Sequence, residues 1–209
     1  MSLALNPYGL APLFHESGIV RPAYPSAPVA SAYAVNLFQN APVRIDTVTP
    51  NGNLIAAPAN GAATTATPAN TSYFVGTFQG CQFTLTATGR PVVSNYWPAN
   101  TVATQIIAWY TRDPNITYTI QANGPVTQAQ LQDQISFTAN GSGNGNLISG
   151  FSTVAADTTV ALGTVANGFA NQLRIVGFDT GIANAVGDAF TVIQVKIALH
   201  QDVAPTIVR

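Results

Sequence analysis

Apolar side chains recur at every second position through long parts of this chain, and that period admits only one kind of regular element. Successive Cβ atoms of an extended strand point to opposite faces, whereas a helix repeats every 3.6 residues. Thr191, Ile193, Val195, Ile197 and Leu199 therefore share one face of a strand, and Gln194, Lys196 and His200 share the other. Val43 and Ile45 alternate in the same way with Arg44 and Asp46. Cys81, Phe83 and Leu85 alternate with Gln82, Thr84 and Thr86, and Ile116, Tyr118 and Ile120 with Thr117, Thr119 and Gln121. Tyr73 to Phe78 and Ile106 to Tyr110 read as further strands, and Leu173 to Phe178 is expected to pair near the last one. Turn chemistry separates these runs. Pro50-Asn51-Gly52-Asn53 should join a strand ending near Val48 to one over Leu54 to Ala56. Gly80 and Gly89 punctuate the middle of the chain, and Asp113-Pro114-Asn115 closes what reads as a second hairpin. Residues 58–70 are an Ala/Thr/Pro/Asn loop, and Gly141 to Asn146 form a flexible connection. Only Val126 to Gln134 reads as a helix, with Thr127 as N-cap and Gln130 completing a capping box. The predicted fold is all-β, an antiparallel sandwich or barrel with one short helix.

Residues 1–34 have a different texture, so the chain divides into an extended N-terminal arm, 1–34, and a single β-rich domain, 35–209. Pro7, Pro12, Pro22, Pro25 and Pro28 interrupt any helix and remove ladder donors. Leu3, Leu5, Tyr8, Leu10, Leu13 and Phe14 give the arm apolar anchors without a helical or strand period. They suit docking on a partner or on the protein's own sheet.

Composition bounds the function. The chain carries seven Lys and Arg and eight Asp and Glu, or 7% charged residues, where an ordinary soluble domain has about 25%. Scattered charge keeps copies of a free monomer apart, so this deficit points to a surface given over to contacts with other proteins. A net charge of −1 leaves no basic face for phosphates, and nucleic acid is excluded as a direct partner. No apolar run is long enough for a membrane helix, and the start of the chain lacks the pattern of a secretory signal. One cysteine, Cys81, allows neither an internal disulfide nor a cysteine zinc site.

Reactive constellations are equally sparse. The single glutamate is Glu16, and Asp113, Asp179 and Asp188 sit in turn contexts that their own backbone hydrogen bonding explains. His15 falls in the arm and His200 at the end of the last strand, and both are expected at the surface or an interface. The glycines of 141–145 lack the Lys-Ser/Thr ending of a phosphate loop. No loop has the dense oxygen ligands of a calcium site. No catalytic residue, metal or cofactor is assigned. Asn95-Tyr96-Trp97-Pro98-Ala99 is the one notable cluster: Tyr96 and Trp97 either stack on a sugar or anchor an interface, or they plug a corner of the core.

Taken together, Asn6-Pro7-Tyr8-Gly9-Leu10, Gly18-Ile19-Val20-Arg21-Pro22, Gly76-Thr77-Phe78-Gln79-Gly80-Cys81, Pro91 to Ala99, Arg112-Asp113-Pro114-Asn115-Ile116, Leu173 to Gly177 and Val192 to His200 carry a resemblance. In them the chain resembles a family of tailed-bacteriophage virion structural proteins, the head decoration or capsid-stabilising proteins. The Tyr-Trp-Pro-Ala and Asp-Pro-Asn-Ile pieces are its most specific carriers. The resemblance implies a protein made in the host cytoplasm and placed on the capsid exterior. Its partner would be the major capsid protein, and it would form a homo-oligomer, with a trimer preferred. Another virion component, such as a minor head, tail or head-fibre base protein, or a glycan-binding module, is the alternative.

Overall fold

The computed structural model describes residues 4–18, 24–46, 51–58, 73–138, 143–159, 171–179, 181 and 183–203. The fold is all-β: the described residues form twelve strands in two antiparallel six-stranded sheets. The first sheet runs in the order β1 (Ala11–His15), β8 (Ile116–Gln121), β12 (Val192–Ile197), β11 (Leu173–Phe178), β9 (Gln134–Phe137) and β10 (Ala156–Asp157). The second runs β2 (Ser26–Ala27), β7 (Ala103–Tyr110), β5 (Gly76–Leu85), β3 (Pro42–Ile45) and β4 (Leu54–Ala56), with β6 (Pro91–Ser94) also paired to β5.

Each sheet curls around its own apolar core. One cluster is built on Ile116, Tyr118, Ile120, Ile135, Leu173, Ile175, Ile193 and Val195, and the other on Val43, Leu54, Phe78, Cys81, Phe83, Trp97, Ala108 and Tyr110. The curl nearly closes both sheets. Ala156 of β10 bridges Ala122 just beyond β8, and Leu54 N–H of β4 donates to Pro28 O just beyond β2, at 2.7 Å. A polar seam joins the two halves. Thr111 Oγ1 accepts from Thr77 N–H at 2.7 Å and lies 3.2 Å from Thr77 Oγ1 and 2.9 Å from Tyr118 Oη. All three residues are fully buried, so each polar group depends on the others for its partner.

Several local expectations need correction. Gly80 does not end a strand: it lies inside β5, where the pairing with β7 slips one residue between Phe78 and Gly80. Its φ of +134° is backbone that a bulge needs and that only glycine adopts without strain. Ile106 to Tyr110 and Ile116 to Gln121 do not form a hairpin. Strand β7 belongs to the second sheet and β8 to the first, so the turn at 111–115 carries the chain from one sheet to the other. The helix is reduced to one 3₁₀ turn, Gln128–Gln130. Gln130 Oε1 does accept from Thr127 N–H at 2.6 Å, but Leu131 is already extended and no residue of the turn is buried. Without an apolar face to pack, a capped start does not propagate. Strands β3 and β4 do pair, with β3 ending at Ile45; Val48 and Pro50 lie outside the described residues. So does most of the 58–70 loop.

His200 is the other correction. It is 3% exposed rather than at the surface, because Phe74, leading into β5, forms a parallel bridge with it. Its Nδ1 accepts from Asp202 N–H at 3.2 Å, which leaves the ring proton on Nε2. Burial lowers its pKa below the ordinary 6.5, against the opposing pull of Asp202, the Arg112 and Val75 backbone and Asp113. An unfolded chain therefore takes up a proton on this residue at a pH where the folded one does not. Stability should be level above about pH 6.5 and fall as the pH drops from there toward the lowered value. Urea midpoints measured between pH 5 and 7.5 check this, and His200→Gln should flatten that part of the profile.

Candidate interaction surface

The strands of the second sheet contain one charged residue, Arg44 in β3; β2, β4, β5, β6 and β7 contain none. Residues 24–43, 73–89 and 91–111 are all free of Asp, Glu, Lys and Arg. Because Cys81, Phe83, Ala108 and Tyr110 face the core, their neighbours Gln82, Ile107 and Trp109 face outward. The register aligns them into rows: Val93, Gln82 and Ile107 lie side by side across β6, β5 and β7, and Trp109 lies between Gly80 and Ser26. Val93 is 74% exposed and Ile107 42%. The result is an outward face of apolar, hydroxyl and amide groups.

Charge collects elsewhere. Lys196 bonds Glu16, Arg112 Nε donates to Asp202 Oδ2 at 2.8 Å, and His15 Nε2 lies 3.2 Å from Asp113 Oδ2. The Lys196 ammonium holds Glu16 below its ordinary carboxylate range. Ser17 Oγ also lies 2.7 Å from His15 Nδ1, which gives a Ser-His-Asp line. Ser17 N–H donates to the same Nδ1 at 3.1 Å, however, so the serine closes a two-residue turn on the ring. Among the described residues, no three or more His, Cys, Asp or Glu gather as a metal site. Burial pushes the Cys81 thiol up to about 12, which leaves it protonated and unreactive at neutral pH. No described helix is long and apolar enough to cross a membrane.

The arm residues lie on the protein's own sheets. Strand β1 pairs with β8, its register shifting between Pro12 and Phe14, and β2 pairs with β7. Gln121 clamps the start of the chain, accepting from Asn6 N–H at 2.8 Å and donating to Ala4 O at 3.0 Å. Leu10 is buried in the first core, Tyr8 and Leu13 are half-buried, and Leu5 and Phe14 are exposed. Burial raises the pKa of Tyr8, whose phenol bonds Thr119. Leu3 lies outside the described residues.

Tyr96 and Trp97 part company. Trp97 is fully buried, its indole edge-on to Phe83 at 5.1 Å, and its backbone exchanges two hydrogen bonds with Leu37. Tyr96 is half-buried and stacks on Phe38 at 5.4 Å. The sequence does not single out Val93 or Ile107. They share a face with Gln82 only through the pairing of β6 and β7 with β5.

Compared with known proteins, the chain matches no family model, no curated protein and no solved structure.

Proposed function

We propose that this chain is a non-enzymatic capsid decoration protein, a cement that binds the assembled head of a tailed bacteriophage from outside and stabilises it. The observation that carries this reading is the outward face of β2, β5, β6 and β7, whose strands contain no charged residue. A free monomer with such a face risks self-association, whereas a protein whose working state is a lattice covers it. Its partner is the major capsid protein and its own oligomer is a trimer. Each copy adds modest burial, and many copies on one lattice act together. The resemblance of the sequence to virion structural proteins supports the same assignment.

Electron cryo-microscopy of the virion tests it. Copies at regular positions on the head are the expected result, and copies confined to the tail or absent from the particle overturn the reading. Contacts of this chemistry are also expected to resist salt. Affinity for purified heads should change less than about threefold between 0.1 and 1 M NaCl, because exposed ion pairs contribute little of it. A steep loss with salt would indicate a charged interface instead. Removing the arm would take Leu10 and Val29 from the two cores, so Leu5→Ser and Phe14→Ser are the cleaner probes of the arm as a contact.

A further inference from the structure

The most exposed apolar side chain among the described residues is Ile148, at 98%, beside Leu147 at 62% and Phe151 at 40%. They sit in a loop that is heavily hydrogen-bonded. Asn146 Oδ1 accepts from Ile148 N–H at 2.8 Å and from Ser149 N–H at 3.2 Å. Asn146 N–H donates to Phe151 O at 2.9 Å, and Gly150 N–H to Asn146 O at 2.7 Å. The loop is clipped to the body as well. Asn95 Nδ2 donates to Ser149 O at 2.7 Å, while Gln39 N–H donates to Gly150 O and Ser152 N–H to Gln39 O, both at 2.9 Å. Below the tip, Gly145 packs so closely on the Phe38 ring that a Cβ would overlap it. An apolar pair in contact with water gains nothing for the isolated chain from being held this way.

Resting on the capsid reading above, we infer that Leu147 and Ile148 form a preorganised plug that enters an uncharged, apolar depression in the capsid lattice protein. Fixing the loop beforehand removes an ordering cost that a flexible loop would meet on binding. Buried aliphatic anchors at the centre of an interface then supply affinity. Charge selects the class of partner. Residues 134–156 carry no Lys, Arg, Asp or Glu, so the tip has none of the flanking cations by which inserting loops and helices hold anionic lipid surfaces. It also has no charge to desolvate in a protein pocket.

The test uses the full chain and heads stripped of it. Leu147→Ser combined with Ile148→Ser should leave the melting temperature unchanged and weaken head binding by about tenfold or more. Asn146→Ala, which keeps the tip but removes its acceptor, should give a smaller loss. A photo-crosslinker at position 148 should label the major capsid protein, and one at Val186, exposed beside the first sheet, should not. If the wild type binds heads and the double variant binds equally, the plug is wrong and the capsid reading stands. If the wild type does not bind heads, both fall. Ile148-dependent sedimentation with phosphatidylcholine/phosphatidylglycerol vesicles would overturn the protein pocket in favour of lipid. An oligomer that dissociates in the double variant would make a second copy of this chain the occupant.

Discussion

Gly76→Ala should lower the melting temperature severely, although it adds only one methyl group. At Gly76 the first residue of β5 passes against the backbone of Thr111, and a Cβ would overlap the Thr111 carbonyl. No rotamer change relieves a clash with backbone, so one strand or the turn must move. Either movement breaks the seam, because Thr111 Oγ1 serves both Thr77 and Tyr118 in full burial. Overpacking together with stranded polar groups should cost about 4 kcal/mol or more. For a domain of this size that is a drop of roughly 8–16 °C in melting temperature. Gly89→Ala is the control. Its Cβ would meet open space, but its φ of +64° disfavours any other residue, so about 1 kcal/mol is expected. Thermal unfolding of the two variants decides the matter, and melting temperatures within a degree or two of each other would refute the close approach at Gly76.

The strands were legible because their period is local, whereas their assignment to sheets was not. The alternation over Thr191 to Leu199 marks β12, whose buried residues Ile193, Val195 and Ile197 follow it directly. The turn Asp113-Pro114-Asn115 marks an end to β7 equally well, with Asp113 Oδ1 accepting from Asn115 N–H at 2.8 Å. That bond forms whether the chain folds back on its own sheet or crosses to the other one. The crossing is fixed by distant partners: Ile193 to Val195 pair with β8, and Thr77 meets Thr111. The interaction surface was legible in part for the same reason. Few charges could be counted from sequence, but their absence from five of the six strands of one sheet became visible only once pairing had gathered those strands. Leu147 and Ile148 gave no sequence signal at all. Two apolar residues in a Gly/Asn/Ser loop carry no period, and the bonds from Asn146, Asn95 and Gln39 that hold them outward are visible only in the fold.

Trp97→Ala should be the second severe substitution, and comparison with Tyr96→Ala separates a structural role from a binding one. Trp97 has no exposed surface, sits among the second core's residues and stands edge-on to Phe83, so its removal opens a large cavity under β5. A loss of about 3–5 kcal/mol is expected. Its Nε1–H has no partner among the described residues, so no hydrogen bond is lost with the ring. Tyr96 gives up only a half-buried ring and its stacking on Phe38, for which about 1–2 kcal/mol is appropriate. Urea unfolding of both variants measures the difference. A Trp97→Ala protein as stable as the wild type but deficient in binding heads or glycans would show that this indole reaches a ligand, which a fully buried ring cannot do without the corner opening. If the expected order holds, Tyr96 is the only member of the pair with surface left for a partner, and a glycan platform built on both aromatics is ruled out by the burial of one of them.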